Sequence, residues 1–272
     1  MSAEGRPPHA VLVRSPEKFS AVTVAAVLAA RAQKPALDFA LSARRAWGVV
    51  AEGEEAQSAH TLAALLTEKG QAAVAAPSSL LESPAAAVVA LKAELGREGF
   101  ELTAAKGEGE PERLPWSRLS VICAAAFEVR QSRVVTGTTP TEMTERAVRL
   151  GLTMVTGLPL MKSKTQTKTV VESKDRALQL DLLFIEPPRR VRIDARAFDY
   201  SLLGGAMGYG AEANFLALLS ELAARAPQAL LGQGTRALLS KAPASQSLYE
   251  SLEDLEREER WLLSLSVLRA AL

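Results

Sequence analysis

The apolar positions between residues 9 and 77 recur in short blocks whose period changes from block to block. "HAVLVR" is a compact apolar run that predicts a strand, and Ser15-Pro16-Glu17 places a cap residue before proline at a first helical position. Ala21, Val24, Val27 and Leu28 then recur at helical spacing. Lys34-Pro35 breaks that helix and starts a second through Leu37, Leu41 and Trp47, with Gly48 as its stop. "GVVAE" predicts a second strand, and Gly53-Glu54-Glu55 opens a third helix with acidic residues where the helix dipole favours them. Leu62, Leu65 and Leu66 form its buried face, Gly70 ends it, and "QAAVAA" is a third strand. The predicted order is β-α-α-β-α-β.

"PSSLLESP", residues 77 to 84, is rich in proline and serine and marks a boundary. Beyond it the period becomes two. "AAVVALKAEL", the turn "GREG" and "FELTAA" predict an antiparallel hairpin, followed by "RLPWSRLSVICAAAFEVR", "KTQTKTVVES", "ALQLDLLFIE" and "RRVRIDA" as further strands. Within this sheet region Thr139, Pro140 and Glu142 form a helix start, and residues 139–162 either cover one end of the sheet or offer an apolar patch to a partner. A closing helix carries Phe215, Leu216, Leu219 and Leu222 as one stripe. The last segment, from Ser245, is helical, acidic early and apolar on more than one face late, so it must dock on the chain's own body or on a second copy. The expected fold class is α+β: a small β-α-α-β-α-β domain at 9–77, an antiparallel β-rich domain with a closing helix at 85–225, and a helical segment at 226–272.

Two of these regions resemble known families. Residues 9 to 77, on "AVLVRS", "AVTVAAVLAA", "AEGEEAQSAHTLAALL" and "TEKGQAAVA", resemble the C-terminal domain of the bacterial ribosomal stalk protein and, more distantly, the adaptor that feeds N-end-rule substrates to the Clp protease. The resemblance implies the fold. The stalk domain binds translational GTPases through a Gly-Leu-Gly-Leu-Lys stretch, whereas this chain has "RAQKPALDFALSARR", which lacks those glycines and keeps only Lys34, Arg44 and Arg45 as positive charge. Factor binding is therefore not carried over. Residues 85 to 225, through the "LPWSRLS" strand after an initial hairpin and a final helix, resemble bacterial pleckstrin-homology-type modules.

Composition narrows the chemistry. At 272 residues the chain has room for two cores at roughly 100–200 residues each, and its 48% hydrophobic and 23% charged residues are globular values. A net charge of +1 gives no field to gather polyanions. One cysteine, Cys123, excludes an intrachain disulfide and reads as a buried small hydrophobe; with His9 and His60 alone there is no metal-ligand spacing. The start lacks a secretory pattern, and the longest uncharged apolar runs, Phe19 to Ala30 and Leu150 to Met161, are shorter than the ~20 residues of a membrane span, so a cytoplasmic chain without one is expected.

The remaining motifs offer surfaces more than catalysis. Lys162, Lys164 and Lys168 alternate with hydroxyl residues, which puts them on one strand face as an anion-binding edge or as charges that keep an edge from pairing. No aromatics interleave with them, so nucleic acid is not an expected partner. Gly204, Gly205, Gly208 and Gly210 match neither a Walker loop, having no lysine after them, nor a dinucleotide fingerprint, and read as a turn anchored by Phe198, Tyr200 and Leu203. The carboxylates Glu54-Glu55 and "EDLEREE" lie in charged helical runs where solvation is expected, and neither histidine stands beside a nucleophile. The sequence thus points to a non-enzymatic, cofactor-free interaction module, an adaptor or assembly factor, whose candidate surface residues are Lys34, Arg44, Arg45, Lys162, Lys164 and Lys168. Its partner is another protein or a second copy through the C-terminal helix. The alternatives are a ribosome- or translation-associated binder and a nucleotide- or metabolite-binding regulator using the glycine cluster.

Overall fold

The computed structural model describes residues 7–103, 111–138 and 166–271, with side chains throughout these except at 130–138, 166–175 and 271. The fold is α+β, in two compact units: residues 1–127 with 177–272, and residues 128–176.

The N-terminal elements follow the order that their periodicity predicts: β1 (His9–Val13), α1 (Ala21–Ala32), α2 (Leu37–Arg45), β2 (Val49–Glu54), α3 (Ala56–Glu68) and β3 (Ala73–Pro77). The strands form an antiparallel sheet in the order β2-β1-β3. The start of α1 differs from expectation. Pro16 opens a three-residue 3-10 turn, and the cap of α1 is Ser20, whose hydroxyl accepts the Thr23 amide. Pro16 is buried in that turn and Phe19 packs on Trp261, so tertiary contacts hold residues 16–19 out of the helix.

A second sheet has the order β11-β8-β9-β10-β4, made of β4 (Ala87–Val89), β8 (Leu119–Thr138), β9 (Gln166–Phe184), β10 (Arg189–Asp194) and β11 (Leu230–Leu231). It is mixed, not wholly antiparallel: β4 runs parallel to β10 and β11 parallel to β8, while β9 and β10 are antiparallel. The run read as one hairpin arm divides. Ala87–Val89 joins β10, and Ala93–Leu95 (β5) turns away into a small antiparallel sheet with β6 (Gly99–Leu102) and β7 (Glu112–Pro115). Hydrogen bonds donated by the Ala90 N–H to the Arg192 carbonyl and by the Asp199 N–H to the Leu91 carbonyl hold that crossing. Three helices complete the chain, α4 (Ala211–Arg225), α5 (Gln233–Leu239) and α6 (Leu252–Ala271).

The period-two pattern of β8 feeds two cores. Val121, Cys123 and Ala125, with Leu183 of β9, pack with the N-terminal sheet and α6; Ile122, Ala124 and Ala126 point the other way, toward the core that holds α4 and β5–β7. Residues 9–77 and α6 therefore share one apolar cluster. Its anchor is Trp261, fully buried, whose indole N–H donates to the Val13 carbonyl at 2.8 Å. Gly48 is needed there because a Cβ would fall 1.7 Å from the indole ring. At about 1.5–3 kcal/mol for a buried large apolar side chain, Trp261, Leu262, Leu265 and Leu268 together tie the C-terminal helix firmly to its own chain.

The second unit contains residues 128–138 of β8 and 166–176 of β9. The helix expected at Thr139-Pro140-Glu142 and the apolar segment 139–162 lie outside the described residues. Among the described residues no helix is long and apolar enough to cross a membrane.

Candidate functional site

The basic positions picked from sequence separate in the fold. Lys34 sits in the turn between α1 and α2, and Arg44 and Arg45 close α2; all three are exposed. Arg44 is taken up by an ion pair with Glu250. Lys162 and Lys164 lie outside the described residues, as does the side chain of Lys168, which belongs to β9.

Around Arg45 the structure adds residues that periodicity alone misassigned. Leu37 and Leu41 do not form the inner face of α2: they are 85% and 53% exposed, and Phe39 and Ala43 face inward instead. A nine-residue helix with apolar residues at 37, 39, 41 and 43 offers two stripes. Ala43, fully buried, selects the inner one because its small side chain lets α2 approach the core closely. The outward stripe runs into a groove of about 480 Å3 lined by Leu41, Arg45, Glu52, Arg257 and Arg260. Glu52 chelates the Arg260 guanidinium through both oxygens, and Arg257 pairs with Glu253 and Asp254, which leaves Arg45 as the groove's unneutralised charge among the described residues.

The acidic run on α6 also departs from the solvated reading. Glu258 and Glu259 are both fully buried. One Glu258 oxygen accepts the Gln233 amide at the start of α5 at 2.6 Å, and the other accepts the Tyr249 hydroxyl at 2.5 Å. Burial pushes the Glu258 carboxyl up, against the pull of those two donors, and pushes the Tyr249 phenol up as well. Cys123 lies beside them; burial raises its thiol, so it is held as the thiol and not as a nucleophilic thiolate.

Glu259 meets Asp181 of β9 and Arg190 and Arg192 of β10. Asp181 accepts from both arginines, Arg190 Nη2 lies 2.8 Å from Asp181 and from Glu259, and Glu256 reaches Arg190 at 3.0 Å. The Arg190–Glu259 approach is close but misaligned, leaving both Glu259 oxygens without a donor. Two guanidiniums face three carboxylates, so one proton balances the set. Burial and the neighbouring Asp181 push Glu259 up to about 10. Sequence carried no signal for this: "EDLEREE" reads the same whether its last two residues face water or the interior.

The glycine cluster forms a turn held by side-chain-to-backbone bonds. The Asp199 carboxylate takes the Ser201 amide, Asn214 Oδ1 takes the Gly208 amide at 2.7 Å, and Phe198 and Tyr200 are buried edge to face beneath. Gly204 and Gly210 have φ of 51° and 98°, the left-handed region that glycine enters without strain. Among the described residues no group of His, Cys, Asp and Glu could hold a metal ion. The chain matches no protein-family model, no curated protein and no solved structure.

Proposed function

We propose that this protein is a non-enzymatic, cytoplasmic interaction module, an adaptor or assembly factor, that holds an acidic amphipathic segment of another protein against α2. The carrying observation is the outward Leu37–Leu41 stripe that continues into the groove beside Arg45. Leucines at i and i+4 make an apolar anchor for a partner helix, and Lys34 and Arg45 at its margins favour acidic flanks. The stalk-like likeness of residues 9–77 and the pleckstrin-homology-type likeness of residues 85–225 belong to this reading, since both families act by presenting surfaces. The regulator alternative draws less support, because the Gly208 amide is already taken by the Asn214 side chain and the Ser201 amide by Asp199.

The test is a photo-crosslinking residue at Leu41 of the full chain in its native cells, followed by reconstitution with the purified partner. A single crosslinked protein whose acidic segment binds wild type and loses at least tenfold affinity with Leu37→Glu/Leu41→Glu supports the proposal. Both leucines are exposed, so stability should stay within about 0.5 kcal/mol. No crosslinked protein, or binding indifferent to both substitutions, overturns it.

A further inference from the structure

The N-terminal sheet ends at β3, which among the described residues pairs only with β1. In an antiparallel ladder alternate residues turn both backbone groups to one neighbour. Arg14 donates its amide to the Ala72 carbonyl and Ser78 donates to the Pro8 carbonyl, so the even-numbered residues face β1. Ala73, Ala75 and Pro77 consequently turn their backbone to the open side. The Ala73 amide is taken by the Thr67 hydroxyl at 3.2 Å, and Pro77 has no amide, which blunts the edge at both ends. What remains open is a short window centred on the Ala75 N–H and C=O.

Two helices flank this window. On one side a groove of about 490 Å3 lies between β3 and α6, floored by Leu80, Leu265 and Leu268 and carrying Arg14 and Arg269. On the other a groove of about 460 Å3 lies between β3 and α3, beside His60, Ala64 and Glu68. A strand laid along β3 would send its side chains alternately into the two grooves, over neighbours no larger than alanine and valine. The α6-side groove contains two arginines and no carboxylate, and both are exposed without an acidic partner among the described residues. Arginines elsewhere commonly have one, as Arg31 has Glu54, Arg113 has Glu101 and Arg189 has Glu112.

We propose that the β3 edge is a peptide-binding site that takes an extended segment of a partner protein, with an apolar side chain over Leu265 and Leu268 and a carboxylate on Arg14 and Arg269. Backbone pairing at Ala75 gives the affinity, and the arginines give the preference for acid. A second copy of this chain is disfavoured as occupant, because pairing β3 with β3 brings further arginines to a seam whose α6 side holds no carboxylate. The site is separate from the α2 face, and each proposal can fail alone.

The probe is a phage-displayed library of linear heptapeptides selected on the full chain. The expected result is enrichment of sequences alternating apolar residues with Asp or Glu. A synthetic peptide of the consensus should lose at least tenfold affinity with Ala75→Pro and about fivefold with Arg14→Gln/Arg269→Gln, and should protect the Ala75 amide from hydrogen exchange. Ala75→Pro removes an amide that β1 does not use, and unchanged melting of both variants establishes that the fold is kept. Leu37→Glu/Leu41→Glu should leave peptide affinity unchanged. The proposal is overturned by a library that yields no consensus, or by peptides indifferent to both variants. Dimerisation lost in Ala75→Pro, or peptide binding that requires deletion of residues 1–6, overturns it too, since the occupant is then a second copy or the chain's own N-terminus.

Discussion

Glu258 and Glu259 are consecutive on α6 and equally buried, yet they are accommodated in opposite ways. Glu258 is satisfied by neutral donors, the Tyr249 hydroxyl and the Gln233 amide, with Arg236 acting only at longer range. Glu259 faces two guanidiniums and another carboxylate, and its own oxygens receive no hydrogen bond. Successive helical positions are about 100° apart, so one residue's step turns the carboxyl from the start of α5 to the sheet. A buried acid can thus be kept by aligned dipoles or by a charge set that retains a proton. The first fixes a geometry and the second fixes a charge balance.

The largest test of this contrast is Arg190→Met. It leaves Asp181 and Glu259 with Arg192 as their remaining cation, and a loss of about 3–5 kcal/mol is expected from breaking a buried ion set by removing one partner. Urea unfolding measures it, and a loss below about 1 kcal/mol would mean that water reaches the cluster. Tyr249→Phe should cost less, about 1–3 kcal/mol, because it strips one donor from Glu258 while keeping the ring stacked on Trp47. An unchanged denaturation midpoint would show that the Gln233 amide suffices.

A pH series separates the two carboxyls further. The folded Glu259 carboxyl titrates near 10 against an ordinary value of 4.5, so between these pH values the folded chain keeps a proton that the unfolded chain has lost. Its contribution to stability is complete below pH 4.5 and falls as pH rises toward 10. Glu259→Gln cannot ionise, so the variant should gain on wild type steadily from pH 5 to pH 9, by at most about 1.4 kcal/mol per pH unit. Parallel pH profiles for the two proteins would put Glu259 in the ionised form. The smallest effect belongs to the solvent side of the same helix. Glu253→Gln, which breaks the pair of an exposed carboxylate with the half-buried Arg257, should change stability by no more than about 0.5 kcal/mol.

The same division governs what could be read in advance. The order β-α-α-β-α-β follows from period, caps and breakers, which act within a few residues, whereas the same pattern left the C-terminal helix to dock on its own chain or on a second copy, and only its packing with residues 9–77 shows the former contact. Gly70 at φ 82° behind α3 is such a local signal. On the proposed α2 surface, Arg45 was named from sequence, whereas Leu37 and Leu41 were assigned to the wrong side of α2, because two equivalent stripes on a short helix differ only in what they are packed against. By itself the sequence determined the type and order of the N-terminal elements, since these depend mostly on neighbours along the chain, though not the start of α1, which Pro16 and Phe19 set through their burial. Only the tertiary structure decided that β4 pairs parallel with β10, that β3 keeps an open edge between α3 and α6, and that two of α6's acids lie in the interior. Those outcomes depend on residues far apart in the chain, such as Asp181 and Glu259, whose cost or gain exists only once they meet.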